Sequence, residues 1–133
     1  MEAIMTGRRM MGQMLAEATN RLNLVLQEAE KALVLANVGV SADVVLDATS
    51  SLRFGKRSGE WQLLVGYATG GEVRLLTASR ETRVAAAMHL QELYNALVEQ
   101  ARVECAAVEL ATQVVEQFNL ARHGEASSAK SAE

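Results

Sequence analysis

With 133 residues, half of them apolar and 22% charged, the chain has the composition of one globular domain and is too apolar for a disordered segment. A formal charge of −3 argues against a generic polyanion binder, and a single cysteine excludes an internal disulfide and fits a reducing compartment. No run reaches the ~18 apolar residues of a membrane span, and the first residues lack the apolar core of a signal peptide, so the expectation is a cytoplasmic protein with no membrane partner.

The charge is unevenly placed. Residues 1–52 carry four basic and six acidic side chains, residues 53–83 six basic against three acidic, and residues 84–133 three basic against seven acidic. A basic middle therefore sits between acidic flanks. Aromatic residues make up only 4%, so the core must be built from Ala, Val, Leu and Met, and the absence of proline permits long uninterrupted helices.

The first element is predicted as a helix from about Gly7 to Ala36. Met11, Leu15, Ala18, Leu22, Val25, Ala29, Ala32 and Ala36 recur at steps of four and three, which places them on one helical face. Arg9, Glu17, Asn20, Gln27 and Lys31 occupy the opposite face, and Asn37 and Gly39 are suited to stopping the helix. Residues 38–50 read two ways. Val38 and Val40 alternate as in a strand, while Ser41-Ala-Asp-Val can cap a helical turn; a short strand or extended connection is preferred.

Strand alternation follows. Leu52 and Phe54 lead to Lys56-Arg57-Ser58-Gly59; Trp61, Leu63, Val65 and Tyr67 lead to Ala68-Thr69-Gly70-Gly71; Val73, Leu75 and Thr77 close the run. Three strands joined by glycine-containing turns form a meander, with these apolar residues on one face. Arg53, Gln62, Leu64, Arg74 and Leu76 fall on the other, half basic and half apolar. Ser79 is placed to cap a last helix, with Glu81 in its first turn, running to about Leu120. Residues from His123 onward read as a solvated tail. The predicted fold is α+β: two long amphipathic helices flanking a three-stranded antiparallel β-meander, with a possible short fourth strand near residues 38–46. One domain covers residues 1–122, and residues 123–133 form a disordered tail.

A helix over residues 80–120 would span about 60 Å, whereas strands of six or seven residues reach only about 20 Å. The sheet cannot cover it. The first helix, packing antiparallel, covers part of what remains, but a second apolar row is left over: Leu93, Val103, Ala107, Leu110 and Val114 on the last helix, with Leu24, Val34 and Leu35 on the first. Self-association, most simply as a dimer, buries that row. A kinked last helix folding back on itself is the monomeric alternative.

No catalytic or metal-binding set emerges, and no cofactor is expected. His89 and Glu92 stand three apart on a helix, but a metal needs three or four ligands. Cys105 lies on the apolar stripe between Glu104 and Glu109, not in the electropositive setting of a nucleophilic thiolate. Asp43 and Asp47 share a face as helix or strand, yet read as polar residues of an exposed connection. The glycines of Gly66-Tyr-Ala-Thr-Gly-Gly71 precede a strand, not the helix N-terminus of a phosphate loop. The N-terminal methionines Met1, Met5, Met10, Met11 and Met14 suit core or dimer contacts better than an adaptable binding surface.

The leading expectation is a non-enzymatic protein-interaction module of adaptor, chaperone-like or inhibitor type. It would act as a homo-oligomer and engage an unidentified protein through Arg53, Gln62, Leu64, Arg74 and Leu76. One alternative is nucleic-acid binding by the basic middle. Another is a small-molecule binder or enzyme whose site forms at the oligomer interface, around Trp61, Tyr67 and Tyr94.

Overall fold

The computed structural model describes the backbone of residues 2–131 and the side chains of residues 6–125. With no proline to interrupt it, α1 runs from Glu2 to Ala36 and stops where expected. Asn37 Oδ1 accepts the Gly39 N–H at 2.8 Å, and Gly39 takes φ +88, a conformation that suits glycine.

Four strands follow: β1 (Ala42–Val45), β2 (Ser50–Arg57), β3 (Glu60–Tyr67) and β4 (Glu72–Arg74). They pair antiparallel in the order β1-β2-β3-β4, so the fold is α+β and the short segment near residues 38–46 is a strand. Register sets the faces. Leu52 pairs with Val65, Phe54 with Leu63 and Val65 with Val73, on the apolar face the alternation predicts. On that face the rings of Phe54 and Trp61 stack with centroids 5.6 Å apart. Arg53 pairs with Leu64, and Leu64 with Arg74, on the other face.

The β2–β3 connection is tighter than the four residues the sequence suggested. Ser58 and Gly59, at φ 52 and 83, form a two-residue turn between the paired Arg57 and Glu60. Positive φ at both central positions is the geometry that matches strand twist in a hairpin. The third run also differs: β4 ends at Arg74, and Leu75–Thr77 coil into a 3-10 turn that Ala78 N–H closes on Leu75 O at 3.0 Å. Leu75 and Thr77 therefore do not extend the sheet face.

Ser79 caps α2 (Arg80–Met88), accepting the Thr82 N–H at 3.2 Å, and Glu81 sits in the first turn. The single last helix expected from Ser79 is divided. At His89 the backbone turns to φ −103, ψ 4, and its N–H is shared between Ala85 O at 3.2 Å and Ala86 O at 3.1 Å. Helix α3 (Leu90–Ser131) resumes at once and continues past residue 122, where the sequence suggested a tail. Contact within the chain gathers into two units, Met1–Leu97 and Val98–Glu133.

In the first unit the core combines Leu26 of α1, Val40, sheet residues Val44, Leu52, Phe54, Leu63, Leu64 and Val65, then Leu75, Ala86, Leu93 and Leu97. β3 thus contributes buried side chains from both faces, Leu63 and Val65 from one and Gln62 and Leu64 from the other, whereas β2 contributes Leu52 and Phe54 from one face only. The second unit is a helix whose side chains are exposed through residue 125, apart from the partly shielded Ala101 and its neighbour Gln100 in the last turn before it. Among the described residues, no helix is long and apolar enough to cross a membrane.

Candidate interaction surfaces

The sheet face bearing Arg53, Gln62, Leu64 and Arg74 is not an open patch. Leu64 has 0% of its surface accessible and Gln62 only 6%. Arg53 reaches across β3 to Glu72, donating from Nε at 2.9 Å and from Nη2 at 2.7 Å. Such a two-bond fork between planar groups is the stronger form of ion pair. It holds the Glu72 carboxyl below its ordinary value and pushes the Arg53 guanidinium further up. Arg74 donates to Glu30 Oε1 of α1 at 2.9 Å, and the other oxygen of that carboxylate accepts the Leu63 backbone N–H at 2.9 Å. Leu76 is half-buried and stands in the 3-10 turn, not in a strand.

The cations of the basic middle are therefore unequally available. Glu72 and Glu30 engage Arg53 and Arg74, Arg83 donates to Asn23 Oδ1, and Arg80 lies 3.8 Å from Glu81. Lys56 and Arg57 are exposed at the hairpin tip. Beside them a cavity of about 390 Å³ is lined by Arg57, Ser58, Gln62, Val73, Arg74 and Thr77. Gln62 Nε2 donates to Arg57 O at 3.2 Å, and its buried Oε1 has no protein partner. A second, apolar cleft of about 450 Å³ lies between Ala29, Ala32, Leu33 and Ala36 of α1 and Leu90, Gln91 and Tyr94 of α3.

The side chains weighed for chemistry have local roles. His89 Nδ1 lies 2.9 Å from Glu92 Oε2, and no group of three His, Cys, Asp or Glu able to hold a metal occurs among the described residues. Cys105 is exposed, with Sγ 3.7 Å from Glu109 Oε1. Asp47 builds the β1–β2 turn: its Oδ1 accepts the Thr49 N–H at 2.8 Å, the Thr49 hydroxyl at 2.9 Å and the Ser50 hydroxyl at 3.0 Å. The first of these bonds is the largest cause that lowers its carboxyl pKa. Asp43 is exposed on β1 opposite Arg53. Gly70 and Gly71, at φ 89 and 101, serve the β3–β4 turn. Trp61 and Tyr67 lie on β3, and Tyr94 lines the apolar cleft.

The helices carry most of the exposed apolar side chains, with Val38 and Val45 exposed outside them. On α1, Met10, Met11, Met14 and Leu15 are exposed, as are Leu24, Val34 and Leu35, the last at 88%. The side chains of Met1 and Met5 lie outside the described residues. On α3, Leu93 belongs to the core at 0% exposure, because the first turns of the helix pack within the first unit. The rest of that row is different: Val103, Ala107, Leu110 and Val114 are all exposed, Leu110 at 62%. A second exposed row holds Val108 at 65%, Val115 at 55% and Phe118 at 58%, with Ala111 between them. At 100° per residue the two rows lie about 90° apart, so together they form an apolar sector about 160° wide, close to half the helix circumference. Set beside protein-family models, curated proteins and solved structures, the chain matches no family model, no curated protein and no solved structure.

Proposed function

We propose that the chain is a protein-interaction module, not an enzyme, and works as a homo-oligomer by pairing the exposed apolar side of α3 with that of a second copy. The observation that carries this reading is the second unit, a helix whose valines, Leu110 and Phe118 stand exposed along an apolar sector about 160° wide. Each such side chain left in water forgoes roughly 1.5–3 kcal/mol of burial. Long helices in water draw most of their stability from packing an apolar face, and a second copy supplies that packing. Adaptor, chaperone-like and inhibitor roles are all compatible with such a module. The sheet face is a poorer docking surface, because Leu64 and Gln62 are buried and both arginines already hold carboxylates.

Sedimentation equilibrium at micromolar concentration tests the reading. A mass of two or more chains supports it, and a monomer at about 10 μM, well above ordinary working affinities, rejects it. Val108→Asp with Val115→Asp is expected to give the monomer while Trp61 fluorescence, which reports the sheet, stays unchanged.

A further inference from the structure

Within the second row, positions recur at steps of four and three: Glu104, Val108, Ala111, Val115, Phe118 and Arg122. This is the a/d spacing of a two-helix seam. The row is apolar except at its two ends, where one residue is an anion and the other a cation. Among the described residues neither end enters an ion pair within its own chain: Glu104 accepts only from Gln100 Nε2, at 3.4 Å, and the Arg122 guanidinium lies 5.8 Å from the centre of the Phe118 ring.

Resting on the self-association reading above, we infer that α3 pairs antiparallel with α3 of a second copy about a twofold axis at Gln113, with Glu104 of each copy meeting Arg122 of the other. A twofold axis at position 113 places 104 opposite 122, 108 opposite 118 and 111 opposite 115. Every layer then joins an a position to a d position, as antiparallel seams require, and the apolar layers set a smaller residue against a larger one (Val108 on Phe118, Ala111 on Val115). Both charges of both copies are matched at once, because an interface with twofold symmetry repeats each contact. A parallel pairing in register would place Glu104 on Glu104 and Arg122 on Arg122. Charge in a seam fixes orientation and register more than it adds affinity. The length also fits: residue 98 of one copy falls opposite residue 128 of the other, so the pairing uses the second unit almost end to end, and α3 is helical through Ser131.

The test is a set of dissociation constants for the full-length protein, measured by sedimentation equilibrium at about 50 mM salt, where screening is weak. Wild type, Glu104→Arg, Arg122→Glu, the double reversal and a 1:1 mixture of the two single variants are compared. Each single reversal turns two attractive contacts repulsive and is expected to weaken association about tenfold. The double reversal and the mixture are expected to return to within about threefold of wild type. Single variants that associate as tightly as wild type overturn the antiparallel register while leaving self-association standing, and so does a double variant weaker than either single one. A monomeric wild type overturns both readings. Unchanged helical circular dichroism in every variant confirms that the substitutions act at the contact.

Discussion

The carboxylate of Glu30, on α1, accepts the backbone N–H of Leu63 at 2.9 Å and so closes the edge of β3 just beyond its last pair with β4, Leu64 with Arg74. Its other oxygen holds Arg74. One side chain thus supplies the acceptor that a longer β4 would have supplied and ties the helix to the sheet.

Glu30→Ala is expected to cost about 1–3 kcal/mol, because the part-buried Leu63 N–H loses its acceptor. Glu30→Gln keeps an oxygen for Leu63 and gives up only the charge toward Arg74, so a smaller loss is expected. Urea unfolding measures both, and equal losses would show that the backbone bond is not the main contribution.

Leu64→Ala is expected to lose about 2–5 kcal/mol of stability, since the side chain is fully buried and its removal leaves a cavity. A residue that served only as a partner contact would be nearly neutral in the free protein. A melting temperature within a degree of wild type would contradict the core position.

Low pH should weaken the fork between Arg53 and Glu72. The folded Glu72 carboxyl titrates below its ordinary value of 4.5, chiefly through its hydrogen bonds with Arg53. A group depressed on folding contributes stability that is present above its unfolded pKa and lost as pH falls through the folded value. Glu72→Gln is expected to cost about 1 kcal/mol at neutral pH, since the pair is partly exposed, and to flatten the acid decline of melting temperature below about pH 4.5. Some decline persists, because Asp47 is lowered by the Thr49 N–H and acts with the same sign. Parallel acid profiles for wild type and variant would count against the pair.

Ser58 adopts φ 52 without being glycine. Ser58→Asn is expected to raise stability by about 0.5 kcal/mol, because asparagine tolerates that conformation better, and Ser58→Val to lower it by about 1 kcal/mol. Thermal unfolding of the two variants should move in opposite directions.

Local chemistry was legible in the sequence where a residue acts on its immediate neighbours. Asn37 and Gly39 at the end of α1, Ser79 at the start of α2, and the alternation that pairs Phe54 with Leu63 are of this kind. What escaped depends on distant partners. Alternation gave Arg53, Leu64 and Arg74 as an exposed face, but their neutralising carboxylates lie 19 and 44 residues away, at Glu72 and Glu30. Val73, Leu75 and Thr77 alternate whether or not they pair, so only the end of β3–β4 pairing at Arg74 shows where the strand stops. The break at His89 has no glycine or proline to mark it, and Leu93 shares a helical row with exposed residues while its own turn packs inside the first unit.

The sheet's strand order is its chain order, and its connections are short: four residues from β1 to β2, two from β2 to β3 and four from β3 to β4. Closing loops of that size costs little entropy, and hairpins form in about 1–10 μs. The sheet can therefore zip from neighbours alone, whereas the two Glu30 bonds span 33 and 44 residues. Bonds of long sequence separation are the slow ones to close, so docking of α1 sets the pace at which the first unit reaches its native state.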